Sequence, residues 1–209
     1  MSTRLNLGGI VLAGGRSTRM GRSKAHLPFG GETMLARTVR QLGNAVGPVV
    51  VVGAPDQELP PLPLLPNEVS VARDDVEGRG PLAGILAGLE VIADRVDAVF
   101  VCGCDTPLLS AAFVRRVADR LGENEVSVPH VDGFWQPLAA VYRVSVAASI
   151  RALLEDDQRR PAFLFDRVPT RRVERDELLD VDPELWSLRN LNRPDDVAAA
   201  LRDAGIRDE

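Results

Sequence analysis

The sequence predicts an α/β fold, a mostly parallel sheet with helices on both faces and one antiparallel strand. Short apolar runs rich in Val, such as Gly9-Ile10-Val11-Leu12-Ala13 and Pro48-Val49-Val50-Val51-Val52-Gly53, alternate with longer stretches whose apolar residues recur at helical spacing. Runs that do not alternate with polar residues belong to strands buried on both faces, the pattern of parallel sheets. A Gly-rich turn follows the first run directly, at the carboxyl end of a strand, where open α/β sheets bind their ligands.

The elements follow in order. After the first strand and its loop, residues 33–42 predict a helix, with Met34, Leu35, Val39 and Leu42 on one face. The second strand covers 48–53. The stretch 55–66 carries Pro55, Pro60, Pro61, Pro63 and Pro66, which excludes a helix or a central strand. A short strand at 69–72 precedes a helix at 81–92 with Pro81 in its first turn. The fourth strand is 98–102, followed by a helix at 111–121, strands at 125–129 and 137–142, and a helix at 145–154. The last third reads as less regular and ends in a helix at 194–204. With no Gly/Ser linker or internal repeat, 1–209 is expected to be one domain.

Composition narrows the function. Twenty-five Lys and Arg against 30 Asp and Glu give a net charge of −5, with no like-charged block, which argues against a nucleic-acid surface. No apolar run approaches membrane-spanning length and the N-terminus lacks a signal-peptide hydrophobic region, so a soluble cytoplasmic protein is expected. Cys102 and Cys104 are too few for a structural zinc site, and neither His26 nor His130 has metal-ligand spacing to them; both read as small core residues of a reduced protein.

Three constellations carry chemistry. The first is Leu12-Ala13-Gly14-Gly15-Arg16-Ser17-Thr18-Arg19-Met20-Gly21-Arg22-Ser23-Lys24. Glycines let backbone N–H groups converge on an anion, and Arg19 and Lys24 add full positive charges, so the turn reads as a phosphate cradle. It is not a P-loop, because Arg22 follows Gly21, and it lacks the G-x-G-x-x-G of dinucleotide sites. The second is Cys102-Gly103-Cys104-Asp105-Thr106-Pro107, an aspartate delivered to the end of an apolar strand. From its residues alone, Asp105 is either a ligand for a hard cation such as Mg²⁺ or the cap of the helix beginning near Ser110. The third is Asp74, with Asp75 as the alternative, ahead of Gly80-Pro81-Leu82-Ala83-Gly84. That turn opens a helix whose free N–H groups can meet a ligand, and Gly84 allows another backbone to approach closely.

The motif L-A-G-G-x-S-x-R-M-G-x-x-K resembles the signature loop of the nucleotidyltransferases that act on sugar-nucleotide-like substrates. It is most similar to that of the molybdenum cofactor guanylyltransferases. Cys-Asp-Thr-Pro at 104–107, Gly80–Gly84 and Leu188-Arg189-Asn190-Leu191-Asn192-Arg193-Pro194-Asp195-Asp196 extend the likeness over nearly the whole chain. The resemblance implies a Rossmann-like fold with a nucleotide-binding part over about 1–130 and an acceptor-substrate part over about 131–209, and transfer of GMP from GTP to molybdopterin with release of pyrophosphate. It implies Arg19, Lys24 and Asp105 as catalytic residues, and Leu12, Ala13, Gly14, Gly15, Lys24, Asp74 and Asp105 as nucleotide-binding. Asp105 would hold Mg²⁺. Asn190 and Asn192 would face the acceptor, since amides can both donate to and accept from a pterin edge. Gln136-Pro137-Leu138-Ala139-Ala140-Val141-Tyr142 and the basic turn Gln158-Arg159-Arg160-Pro161 resemble segments of the family on that side. Partners would be GTP and molybdopterin, with transient contact to cofactor-biosynthesis proteins or molybdoenzymes. The sequence departs from the family after the second strand, where Val52-Gly53-Ala54 stands in place of an asparagine that contacts the nucleotide. A cytidylyltransferase for the same cofactor, a sugar-1-phosphate nucleotidyltransferase and a non-catalytic nucleotide-binding regulator are the competing readings.

Overall fold

The computed structural model describes residues 5–14, 23–74 and 80–207. Strands β1 (Leu7–Leu12), β4 (Val49–Gly53), β5 (Val69–Arg73), β6 (Ala98–Gly103), β7 (Val126–Val131), β9 (Ala139–Arg143) and β10 (Thr170–Glu174) form the main sheet in the order β10-β7-β9-β6-β1-β4-β5. Two shorter strands, β2 (Pro28–Phe29) and β3 (Glu32–Thr33), make a separate hairpin, and β8 (Phe134–Trp135) pairs with β7. The β6–β1–β4–β5 half is parallel throughout, so Leu12, Gly53, Arg73 and Gly103 all end on one edge. Strand β9 runs antiparallel to both neighbours, which returns β7 and β10 to the direction of β6.

Alternate residues of the central strands divide the core in two. Val11, Val49, Val51, Phe100 and Cys102 face helices α1 (Met34–Gly43) and α3 (Ala111–Asp119). Ile10, Val50, Val52, Val99 and Val101 face α2 (Pro81–Ile92) and α4 (Ala147–Glu155), with α5 (Ala162–Phe165) beside them. Being buried on both sides, β4 needs apolar residues throughout, and all five of its residues are buried. Helix starts follow their caps: Thr33 accepts from the Ala36 N–H at 3.2 Å, and Ser110 accepts from the Phe113 N–H at 3.1 Å. Helix α2 opens at Gly80, with φ 81°, and Pro81. A third small core, Phe29, Met34, Leu191, Ala200 and Leu201, fastens the β2–β3 hairpin to the terminal helix α6 (Pro194–Asp203).

The α/β class and the helices on both faces agree with the sequence. Antiparallel pairing is more extensive than the single strand expected, because β8 joins β9 in it and β2 and β3 pair with each other. Strand β10 and helix α5 lie in the stretch that read as less regular. The proline-rich stretch forms no helix or strand, and Leu59, Leu62 and Leu65 pack it against the α1 side of the sheet. Gly84 does admit a close neighbour, but it is a side chain: a Cβ there would lie 3.1 Å from Leu12 Cδ2.

Candidate active site

The site forms along the carboxyl edge of β1, β4, β5 and β6. Lys24 opens a short 3₁₀ turn, Lys24–His26, whose Ala25 is fully buried. Its Nζ donates to Asp105 Oδ2 at 3.0 Å and to Asn192 Oδ1 at 2.5 Å. Residues from the start of the chain, from the middle and from the far end thus meet on one ammonium. An ammonium carries three donors, so with two engaged by Asp105 and Asn192 a further N–H can meet an incoming oxyanion. The Lys24 and Asp105 side chains are 22% and 20% exposed, so their charges are partly screened by solvent.

Asp105 is fixed from below. A Cβ on Gly103 would stand 2.5 Å from Asp105 Oδ1, so a glycine leaves the space that the carboxylate fills. The Thr106 hydroxyl donates to the Gly103 carbonyl at 2.9 Å, and the Leu191 N–H donates to the Asp105 carbonyl at 2.9 Å. Ser110, not Asp105, caps α3, so the helix-cap reading of that aspartate does not hold. Cys102 and Cys104 are buried free thiols; burial pushes both pKa values up, that of Cys104 to about 12, so neither is a ready nucleophile at neutral pH.

The C-terminal motif has its own scaffold. Asp196 Oδ2 accepts the N–H groups of Asn192 and Arg193 at 2.9 and 2.8 Å, which turns the chain into α6 and holds Asn192 beside Lys24. Asn190 is exposed two residues earlier. Farther along the same edge, a cleft of about 450 Å³ is lined by Val131, Phe134, Gln136, Arg175, Leu188 and Arg189. It joins the Gln136 segment to the residue preceding Asn190.

At the other end, the Asp74 N–H donates to the Gly53 carbonyl at 2.9 Å, which seats Asp74 beside the end of β4. The backbone of Leu12 and Ala13 is largely taken up within the protein: the Leu12 carbonyl accepts from the Cys104 N–H at 3.0 Å, and the Ala13 N–H donates to the Val52 carbonyl at 2.8 Å. The Ala13 carbonyl accepts from Gln57 Nε2 at 3.0 Å. Gln57 was not singled out by sequence, since it lies in the proline-rich stretch outside every motif. The one available signal was the absence of an amide at Val52-Gly53-Ala54. The basic turn closes on α2, where a Cβ on Gly80 would lie 3.2 Å from the Arg159 carbonyl oxygen. Gly15 and Arg19, and the alternative Asp75, lie outside the described residues.

The family model for the MobA-like NTP transferase domain matches residues 9–171, from β1 to the start of β10. The chain belongs to the MobA-like NTP transferase family. It is 40% identical over 172 residues to a probable molybdenum cofactor guanylyltransferase of Mycobacterium tuberculosis (strain ATCC 25618 / H37Rv), covering 80% of this chain and 83% of that one. It is 36% identical over 206 residues to the protein of the same name from Mycobacterium ulcerans, covering 96% of both. Among solved structures, molybdopterin-guanine dinucleotide biosynthesis protein A from Archaeoglobus fulgidus superposes with a TM-score of 0.76 at 21% identity, over 95% of this chain and 98% of that one. The 2-C-methyl-D-erythritol 4-phosphate cytidylyltransferase of Thermus thermophilus gives 0.68 at 19% identity, over 95% and 98%. This MobA-like chain is therefore a nucleotidyltransferase, and Lys24, Asp105 and Asp74 all fall within the matched domain. Asn190 and Asn192 lie beyond it, yet Asn192 reaches back to Lys24. No helix among the described residues is long and apolar enough to cross a membrane.

Proposed function

We propose that the protein transfers GMP from GTP to molybdopterin and releases pyrophosphate. The observation that carries this reading is the convergence of Asp105 and Asn192 on Lys24, which joins the nucleotide half of the chain to its C-terminal motif at one point. The choice of guanine and of the pterin acceptor is supported by relatives at 36–40% identity that bear the guanylyltransferase name.

The acceptor's phosphate oxygen attacks the α-phosphorus of GTP. A new P–O bond forms, the bond to the β-phosphate oxygen breaks, and pyrophosphate leaves. A phosphate monoester is already ionised near neutral pH, so no general base is required. Lys24 Nζ turns an N–H toward the phosphates and stabilises charge that shifts to the leaving group. Arg19 adds a second cation from the same loop, and Asp74 accepts from the guanine or ribose donors. Asn190 and Asn192 orient the acceptor, whose body extends toward the cleft beside Gln136 and Arg189.

The donor set at Asp105 fits Mg²⁺, a hard ion that binds through one or two carboxylates and takes its remaining oxygens from substrate phosphates and water. Mg²⁺ bound there would neutralise the triphosphate and orient it. The test is release of pyrophosphate on mixing the protein with GTP, Mg²⁺ and molybdopterin. Release that depends on all three supports the reading; GTP binding with no release would make the protein a binder.

A further inference from the structure

The end of β4 is a crossing point of hydrogen bonds between the segments of the nucleotide site. The Val52 carbonyl accepts from the N–H groups of Ala13 and Gly14, at 2.8 and 3.2 Å, and the Gly53 carbonyl accepts from Asp74. Gln57 completes the crossing with its side chain. Its Oε1 accepts the Ala54 N–H at 3.0 Å, while Nε2 donates to the Ala13 carbonyl at 3.0 Å and to Ser23 Oγ at 3.2 Å. Its own backbone is held as well, because Arg73 Nη1 donates to the carbonyls of Ala54 and Gln57 at 3.1 and 2.7 Å.

The packing here leaves little slack. A Cβ on Gly14 would lie 3.2 Å from the Ala54 nitrogen, and one on Gly53 would lie 2.6 Å from Arg73 Nη1 and 3.5 Å from Gln57 Oε1. An amide alone among the side chains of this length presents one acceptor and two donors at its tip. A carboxylate would keep the bond to Ala54 but would set an oxygen against the Ala13 carbonyl, two acceptors face to face.

We propose that Gln57 is a positioning residue for nucleotide binding, holding Ala13 and Ser23, the residues that bracket the signature segment from Gly14 to Arg22, in register with the end of β4. The proposal rests on the nucleotidyl-transfer reading of that segment. Gln57 acts by fixing where Ala13 and Ser23, the two flanks of the cradle, stand.

The experiment compares wild type, Gln57→Glu and Gln57→Asn by calorimetric titration with GTP and Mg²⁺, by kcat and KM for pyrophosphate release, and by melting temperature. Gln57→Glu is expected to weaken GTP binding about tenfold and to raise the GTP KM in proportion, while kcat at saturating GTP changes less than about threefold. Gln57→Asn, which keeps the amide one methylene shorter, should fall between the two and supplies the same comparison if the glutamate variant does not fold. A purely structural role would lower the melting temperature of both variants without separating KM from kcat, and would overturn the proposal. GTP binding by Gln57→Glu equal to wild type would overturn the proposal alone; a wild type that binds no GTP would overturn the nucleotide reading with it.

Discussion

Lys24 Nζ stands 3.0 Å from Asp105 Oδ2, across 81 residues of sequence. The pair joins the end of the signature loop to the end of β6, and each residue is the other's charge partner. Neither is deeply buried, so the pair contributes little to stability.

Lys24→Ala is therefore expected to leave the fold intact and to cut nucleotidyl transfer by on the order of 10²–10³-fold. Circular dichroism and turnover on the same sample check this. Near-wild-type turnover would remove Lys24 from the mechanism.

For Asp105→Asn, we expect much weaker activation by Mg²⁺ and a large fall in rate with little change in melting temperature, since Ser110 supplies the cap of α3. Gly103→Ala should produce a similar loss without touching the carboxylate's chemistry, because its Cβ would fall 2.5 Å from Asp105 Oδ1. A Mg²⁺ titration of both variants is the check. Normal activation in Gly103→Ala would mean that the orientation of Asp105 is unimportant.

Asn190 and Asn192 should separate. Asn192 touches Lys24, so Asn192→Ala is expected to lower kcat as well as to raise the molybdopterin KM. Asn190→Ala should raise the molybdopterin KM alone. Loss of GTP affinity in Asn190→Ala, measured without molybdopterin, would put that residue at the nucleotide end.

The buried thiols set an alkaline limit. The Cys104 pKa is raised by burial from about 9 in the unfolded chain to about 12 in the fold. Its protonated form is favoured by folding, so this contribution is complete below about pH 9 and is lost as pH rises from there toward 12. The denaturant midpoint should be flat from pH 7 to 8.5 and fall above pH 9. A midpoint independent of pH up to 11 would contradict the burial of these thiols.

Much of this was legible in the chain. Strands β1, β4 and β6 announce themselves because burial on both faces demands unbroken apolar runs, and Pro81 and Pro194 mark helix starts by what proline cannot do. Strand β10 was hidden because it is an edge strand, Thr-Arg-Arg-Val-Glu, with only Val173 buried. The two-residue strand β8 is too short for any period to register. The motifs holding Lys24, Asp105 and Asn192 could be read separately; their meeting could not, because Asn192 lies 168 residues from Lys24 and only the fold brings them together. Gln57 was invisible for a different reason: two of its three partners, Ala13 and Ser23, lie 44 and 34 residues away in sequence, and no local pattern encodes them.

Base choice separates a guanylyltransferase from its nearest rivals. Guanine offers N1–H and an amino group as donors and O6 as an acceptor, whereas cytosine is smaller and offers N3 and O2 as acceptors. A site built for guanine leaves buried groups unpaired when cytosine enters, at about 1–3 kcal/mol each, so two such losses give roughly a hundredfold discrimination or more. The deciding measurement is kcat/KM for GTP, CTP, ATP and UTP at one concentration of Mg²⁺ and molybdopterin. GTP is expected ahead of the other three by about that margin; CTP equal to or better than GTP would contradict guanylyl transfer.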